Sequence, residues 1–275
     1  MEERRNSRVT RFQGQKPRPA FRPETDEMVF GTQPVLETLR SGQEIDKLFM
    51  EKGLSNPDIQ QMALERRVTI QRVPVEKLNR FTRKNHQGVV CLISAINYVK
   101  LSNVIADVFE RGEMPFLLLL DRVTDVRNFG AIARTAECAG VQAIVIPAKR
   151  AAMINADAMK TSSGALNHIS VCREYDLAAT ITYLQDSGIR VIAGTEKTNK
   201  TLFATDLTGP VAFILGSEED GISDEFLALC DDSARIPLMG VVESLNVSVA
   251  TGIVLYEAVR QRIEASRSDG IIRAL

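Results

Sequence analysis

From Asp26 onward the chain alternates short apolar runs with stretches of helical period, the pattern of strands and helices packed in layers. Val29-Phe30-Gly31 opens the first unit. A helix is expected from Gln33 to Ser41 and a strand from Ile45 to Met50, closed by Gly53 and Asn56-Pro57. A second helix, Asp58 to Arg66, leads to a strand from Val68 to Val73. After Pro74 comes a short helix through Lys77 and Leu78, then the basic loop 82–88, then a last strand from Val89 to Ile93. These elements make a small α/β unit over residues 26–97, large enough to fold. Residues 98–113 read as a linker with a helical middle that ends at Gly112 and Pro115.

The second unit, residues 114–275, begins with Phe116-Leu117-Leu118-Leu119-Leu120, an apolar run of the length of a buried strand. Further apolar strands are expected at Ala143 to Ile146, Ile169 to Cys172, Val191 to Ala193 and Val211 to Leu215. Helices are expected at Asn128 to Ala139, Leu177 to Asp186, Asp224 to Leu229 and Leu245 to Ile263. This alternation predicts a mainly parallel sheet covered on both faces. Ligands of such sheets gather beyond the carboxyl ends of the strands, so the loops there hold the candidate chemistry.

Three loops stand out. The first runs from Asp121 into an Ala-rich helix on which Phe129, Ile132, Ala133, Ala136 and Gly140 share one face. Arg134 points away from that face, where it can meet a phosphate or a subunit interface, or lie in solvent. The second is Gly216-Ser217-Glu218-Glu219-Asp220-Gly221. Its Gly-x₄-Gly spacing lacks the Lys-Ser/Thr of a phosphate loop, and three acids would repel phosphates. Glu218, just beyond a strand, is either a functional carboxylate or a solvated acid. The third runs from Arg235 to Tyr256. Pro237 and Gly240 shape a loop carrying Ser244 and Asn246, and a helix starting near Ser244 or Leu245 is too evenly apolar to face solvent. Either Ser244 or Asn246 is a candidate cap for it.

Composition removes several classes of function. The net charge of −1 gives no global basic field, although residues 1–24 hold seven Lys/Arg against three acids and read as a disordered basic tail. Four scattered cysteines and two histidines offer no metal-ligand spacing, so no metal is expected. No apolar run is long enough to span a bilayer, and a cytoplasmic protein is expected. The glycine fingerprint G-x-G-x-x-G follows none of the strands.

Taken together, N-F-G-A-I-A-R-T-A-E, I-L-G-S-E-E-D-G and I-P-L-M-G-V-V-E-S-L-N-V-S-V-A-T-G resemble, in order and spacing, the three motifs of the SpoU family of RNA ribose 2′-O-methyltransferases. The similarity covers about Phe116 to Arg262. Val29 to Ile93, with F-G-T-Q-P-V-L-E-T-L and H-Q-G-V-V, resembles the family's substrate-binding module, a fold akin to an RNA-binding ribosomal protein. The resemblance implies a SPOUT-type α/β domain with a deep trefoil knot, acting as a homodimer on RNA, with 23S rRNA guanosine as substrate and tRNA as the alternative; a non-catalytic RNA-binding protein that uses the front module and basic tail is the remaining reading. It implies S-adenosylmethionine held by Gly194, Thr195, Leu215, Gly216, Ile236 and Leu245. It assigns Asn128, Arg134, Glu218, Ser244 and Asn246 to the functional polar positions. Val126 and Leu238 depart from the Pro and Met usual in the family.

Overall fold

The structure, a computed structural model, describes residues 28–268, so the basic segment 1–25 lies outside the described residues. Strands β1 (Met28–Phe30), β2 (Ile45–Glu51), β3 (Ile70–Val73) and β4 (Val89–Ile93) form one sheet in the order β1-β4-β2-β3. β2 and β3 are parallel, and β4 runs antiparallel to β1 and β2. Helices α1 (Thr32–Ser41), α2 (Pro57–Glu65) and α3 (Val75–Phe81) cover it. Asn56 caps α2 by accepting the Ile59 amide at 3.1 Å, with Pro57 in the first turn, where its missing donor costs nothing. Period-two alternation divides β2 and β4 between two small cores. Leu48, Met50 and Cys91 pack under α1 and α2, whereas Phe49, Val90 and Leu92 pack under α3.

An exposed position is the ordinary expectation for His86, in the basic loop before β4, and the structure differs. His86 is buried, and its Nδ1 accepts the Gly88 amide at 3.0 Å. Nε2 therefore carries the proton and donates to Asn79 Oδ1, also at 3.0 Å. The ring ties α3 to the turn before β4.

The second sheet contains β5 (Phe116–Leu120), β6 (Ala143–Pro147), β7 (Ser170–Glu174), β8 (Arg190–Gly194), β9 (Val211–Leu215) and β10 (Asp232–Ala234). Its order is β10-β8-β9-β5-β6-β7 and every pairing is parallel. Helices α4 (Leu101–Glu110), α5 (Val126–Cys138), α6 (Ala156–Thr161), α7 (Leu177–Asp186), α8 (Asp224–Leu229) and α9 (Val247–Ser268) flank it. The all-apolar β5 serves both faces. Phe116, Leu118 and Leu120 join the core with α5 and α9 residues, and Leu117 and Leu119 join that of α4 and α7.

Three elements differ from the sequence-based expectation. The segment expected as a linker carries α4, whose Leu101, Val104, Ile105 and Val108 are buried against the second sheet, so it belongs to that core. The edge strand β10 is only three residues long and polar, and gives no apolar signal. Helix α9 starts at Val247, not Ser244 or Leu245, because Asn246 accepts the Ser248 amide at 3.0 Å and fixes the first turn there. Ser244 is exposed and does not cap it.

The two sheets are also joined by a polar cluster. Arg173 of β7 donates to the Ile45 carbonyl at 2.8 Å and to Glu44 at 3.1 Å, and its guanidinium lies 4.0 Å from the centre of the Tyr98 ring. Asp46 accepts from Tyr98 Oη at 2.6 Å and from the Ile154 amide at 3.0 Å. The Ala95 amide in turn donates to the Ile154 carbonyl at 2.9 Å.

Candidate functional site

At the carboxyl ends of β5 and β9 the three singled-out loops converge. Asn128 stands in the first turn of α5, positioned by Asp125, which accepts the Asn128 amide at 2.8 Å as the helix cap. Glu218 follows β9 by three residues, and Asn246 precedes α9. Glu218 Oε1 accepts from Asn128 Nδ2 at 2.7 Å and from Asn246 Nδ2 at 2.6 Å, with the Val247 amide at 3.5 Å. Asn246 Nδ2 also reaches Asn128 Oδ1 at 3.1 Å. Capping sets the amide's orientation. Asn246 Oδ1 takes both the amide and the hydroxyl of Ser248, so its NH₂ must face Glu218. The carboxylate thereby sits at the positive end of a 22-residue helix, with one oxygen saturated. Among the described residues, Oε2 has no donor.

The loop that carries Glu218 is shaped by close approach. A Cβ on Gly216 would fall 2.0 Å from the Gly221 backbone, so no other residue fits without opening the loop. Ser217 and Gly221 exchange backbone hydrogen bonds at 3.2 and 3.0 Å. Asp121 and Arg122, which the sequence reading left without a role, hold this loop to β5. Asp121 is 2% exposed and accepts the Ser223 amide at 2.9 Å. Arg122 pairs with both Asp121 oxygens, reaches Asp220 at 3.0 Å and donates to the Gly221 carbonyl at 3.1 Å. The Asp121 hydrogen bond, with the added charge of Asp220, raises the Arg122 pKa further above its ordinary value. The available signal was an Asp-Arg pair directly after five apolar residues.

Of the residues assigned to the cofactor, Gly194, Thr195, Leu215, Gly216 and Ile236 lie at or just beyond the ends of the adjacent strands β10, β8 and β9. A Cβ on Gly194 would fall 2.4 Å from Leu215 Cδ2, and the Thr195 amide donates to the Ala234 carbonyl at 3.0 Å. Leu245 lies in the loop before α9, a stretch where Met239 and Val241 are 96% and 98% exposed. Bare glycine backbone beside acids at 196, 218 and 219 suits a cation that carries hydrogen-bonding heterocyclic groups, and opposes a polyphosphate. S-adenosylmethionine, a sulfonium cation with an adenosine, fits that description.

Arg134 is not part of the cluster. Six residues beyond Asn128 on α5, it lies about 120° around the helix, and its exposed side chain makes no ion pair or hydrogen bond among the described residues. Ser244 likewise makes no hydrogen bond to the three clustered side chains among the described residues. Among the described residues no group of His, Cys, Asp and Glu has the arrangement of a metal site.

The chain is similar to known proteins over both units. Residues 28–99 match the model for RNA 2′-O ribose methyltransferase substrate binding, and residues 115–256 match that of the SpoU rRNA methylase family. RlmB of Pseudomonas aeruginosa, a 23S rRNA (guanosine-2′-O-)-methyltransferase, is 37% identical over 241 residues, covering 86% of this chain and 97% of that protein. YacO of Bacillus subtilis, named for the TrmH family of tRNA/rRNA methyltransferases, is 36% identical over 85% of this chain and 95% of its own length. An AdoMet-bound rRNA methyltransferase from Sinorhizobium meliloti superposes with a TM-score of 0.53 at 27% identity, over 85% of this chain and 87% of that one. The Asn128, Glu218 and Asn246 loops all fall within the 115–256 match, in a fold shared along nearly the whole chain, and the protein belongs to the SpoU rRNA methylase family.

Proposed function

We propose that this chain transfers a methyl group from S-adenosylmethionine to the ribose 2′-hydroxyl of a guanosine in 23S rRNA. The observation that carries the reading is the cluster in which Glu218 Oε1 is held by two asparagines while Oε2 stays open. Similarity over both units to a relative named for that reaction supports the substrate. S-adenosylmethionine supplies, when bound, a methyl group made electrophilic by the cationic sulfur. The chain's own task is alignment and removal of the hydroxyl proton, to which positioning contributes heavily. The backbone at Gly194, Thr195, Leu215, Gly216 and Ile236 would hold the cofactor, with Leu245 closing over it. Glu218 Oε2 accepts the hydrogen bond of the ribose hydroxyl and helps draw off its proton. Ser244 contributes a hydroxyl from the same loop as Asn246.

Arg134 presents a planar guanidinium whose fork of donors matches a phosphate, so it serves as a phosphate contact and not as the proton acceptor. It would act on the site of a second copy. Helix α9 supports that dimer, because Val249, Tyr256 and Ile263 lie partly exposed along it, next to Met239, Val241 and Val242. The chain course supports a trefoil knot. After β10 joins the sheet edge beside β8, the chain returns past a bridge between Thr201 and Arg235 to pack α9 on α5. Among the described residues no helix is long and apolar enough to cross a membrane, which accords with action on rRNA in the cytoplasm.

The test is incubation of the protein with methyl-labelled S-adenosylmethionine and separate unmethylated 23S rRNA and tRNA pools. Label in 23S rRNA at a ribose is expected. Label in tRNA alone would move the substrate, and label in neither pool would overturn the enzymatic reading.

A further inference from the structure

We infer that the cleft between the two units is the path of a single-stranded RNA backbone leading to the Asn128–Glu218–Asn246 cluster, with Arg150 where the cleft meets that cluster. This rests on the proposed function and adds a route that neither unit contains alone. The cleft encloses about 560 Å³ and is lined by Lys47, Arg67, Lys149, Arg150 and Arg173 against a single carboxylate, Asp46. Asp46 and Arg173 are engaged with each other at 3.6 Å and with Tyr98 and Glu44. Arg67, Lys149 and Arg150 form no ion pair among the described residues, and Lys47 faces only the already engaged Asp46. In a chain of net charge −1, three unpaired cations around one cleft, with Lys47 beside them, form a local anion-binding field.

The cleft opens toward the site. A hollow of about 640 Å³ contains Asn128 and Glu218, and it shares Thr124 and Arg150 with the cleft. Arg150 is held at this join against its preference. Its φ is +60°, an uncommon angle for a side-chain-bearing residue, and the turn is pinned at both ends. The Ala148 amide donates to the Glu174 carbonyl at 2.7 Å, and the Ala152 amide to the Val123 carbonyl at 2.9 Å. Arg67, on the opposite unit, also has positive φ, +54°. Its carbonyl accepts the Tyr175 hydroxyl, which fixes the orientation of a ring that is 55% exposed in the same cleft. Cations that track phosphates, interleaved with an anchored aromatic face, suit a strand whose bases are unpaired. A duplex hides its base faces and a small anion needs no such length.

The test uses the full chain with a fluorescein-labelled oligouridine strand, a labelled blunt RNA duplex, and methylation of protein-free 23S rRNA. Lys149→Ala combined with Arg150→Ala is expected to weaken oligouridine binding about tenfold or more and to lower the magnitude of the salt slope by about 1.4. The loss should appear in KM for 23S rRNA more than in kcat, and Arg150→Lys should restore part of it. Tyr175→Leu is expected to weaken the single strand about fivefold or more while sparing the duplex. Calorimetric binding of S-adenosylmethionine to each variant reports on an intact fold. Unchanged affinity and salt slope in the folded double variant, or tighter binding of duplex than of single strand, would overturn the proposal. If the wild type fails to methylate 23S rRNA but the variants still lose oligouridine binding, the enzymatic reading falls and the cleft assignment stands.

Discussion

Asn246 joins two functions in one amide: its oxygen caps α9 and its NH₂ holds Glu218. Substitution can separate them. In Asn246→Asp the cap survives, because aspartate caps as well as asparagine, but a second carboxylate now faces Glu218. The expected outcome is a fall of about 10²-fold in methyl transfer with a melting temperature within about 2 °C of wild type. Asn246→Ala removes both roles and should also cost about 1 kcal/mol of stability in denaturant titration. Gly216→Ala tests the loop. A Cβ 2.0 Å from the Gly221 backbone must displace residues 216–221, and cofactor affinity measured by calorimetry should drop about tenfold or more. Glu218 stood out in the sequence as an acid just beyond a strand and Asn246 as a candidate cap, whereas Asn128 was marked only by the resemblance to the family's first motif. Asp121 and Arg122 were not, since an ion pair between a buried acid and its neighbour looks in sequence like any charged turn. Arg134 was legible as a surface residue, and a single chain gives it no partner.

At the level of elements, the apolar period located the central strands and long helices, and missed what apolar period does not encode. β10 is held by pairing with β8 and not by its own side chains, and α6 is six residues long. The start of α9 was displaced because a cap, not hydrophobicity, ends the preceding loop. The far end of α9 is anchored by polar contacts that sequence pattern could not foretell. Arg262 donates to the carbonyls of Leu207, Gly209 and Pro115 at 3.3, 2.8 and 3.2 Å, and its guanidinium lies 4.4 Å from the Phe116 ring centre. Arg262→Met keeps the aliphatic stem and removes the donor to the Leu207 and Gly209 carbonyls, while the Pro115 carbonyl keeps the Val211 amide, so a loss of about 2 kcal/mol is expected in denaturant titration. Glu257, on the same helix, has its pKa depressed below 4.5, chiefly by its hydrogen bonds from Arg260 and despite partial burial. A depressed folded value contributes stability that is present above the unfolded pKa and lost as pH falls through the folded one. Acid unfolding of Glu257→Gln should therefore converge with that of wild type at low pH, the two separating as pH rises through the folded value and differing fully above about 4.5.

For the whole molecule, the decisive feature is that two α/β units share a polar joint, beside which Met153 packs on the first core and Ile96 on the second. Sequence pattern marked two units and a connection, and left open whether the units move on it. Arg173 makes the difference, because a lone arginine at the end of β7 binds the carbonyl and carboxylates at the start of β2. Asp46 in this joint has its pKa raised by burial, partly opposed by Tyr98, the Ile154 amide and the charges of Arg173 and Lys47. A folded value above the unfolded 3.8 means that the fold favours the protonated acid, and that contribution is lost as pH rises through the folded value. Above that value the buried carboxylate depends on Arg173; below it, it does not. Arg173→Met should thus split the single calorimetric unfolding transition of the wild type into two at neutral pH, the first unit melting on its own. As pH falls below the folded value of Asp46, the same substitution should cost less and the two transitions should approach each other. A single transition at neutral pH in a folded Arg173→Met variant would show that the joint does not couple the units.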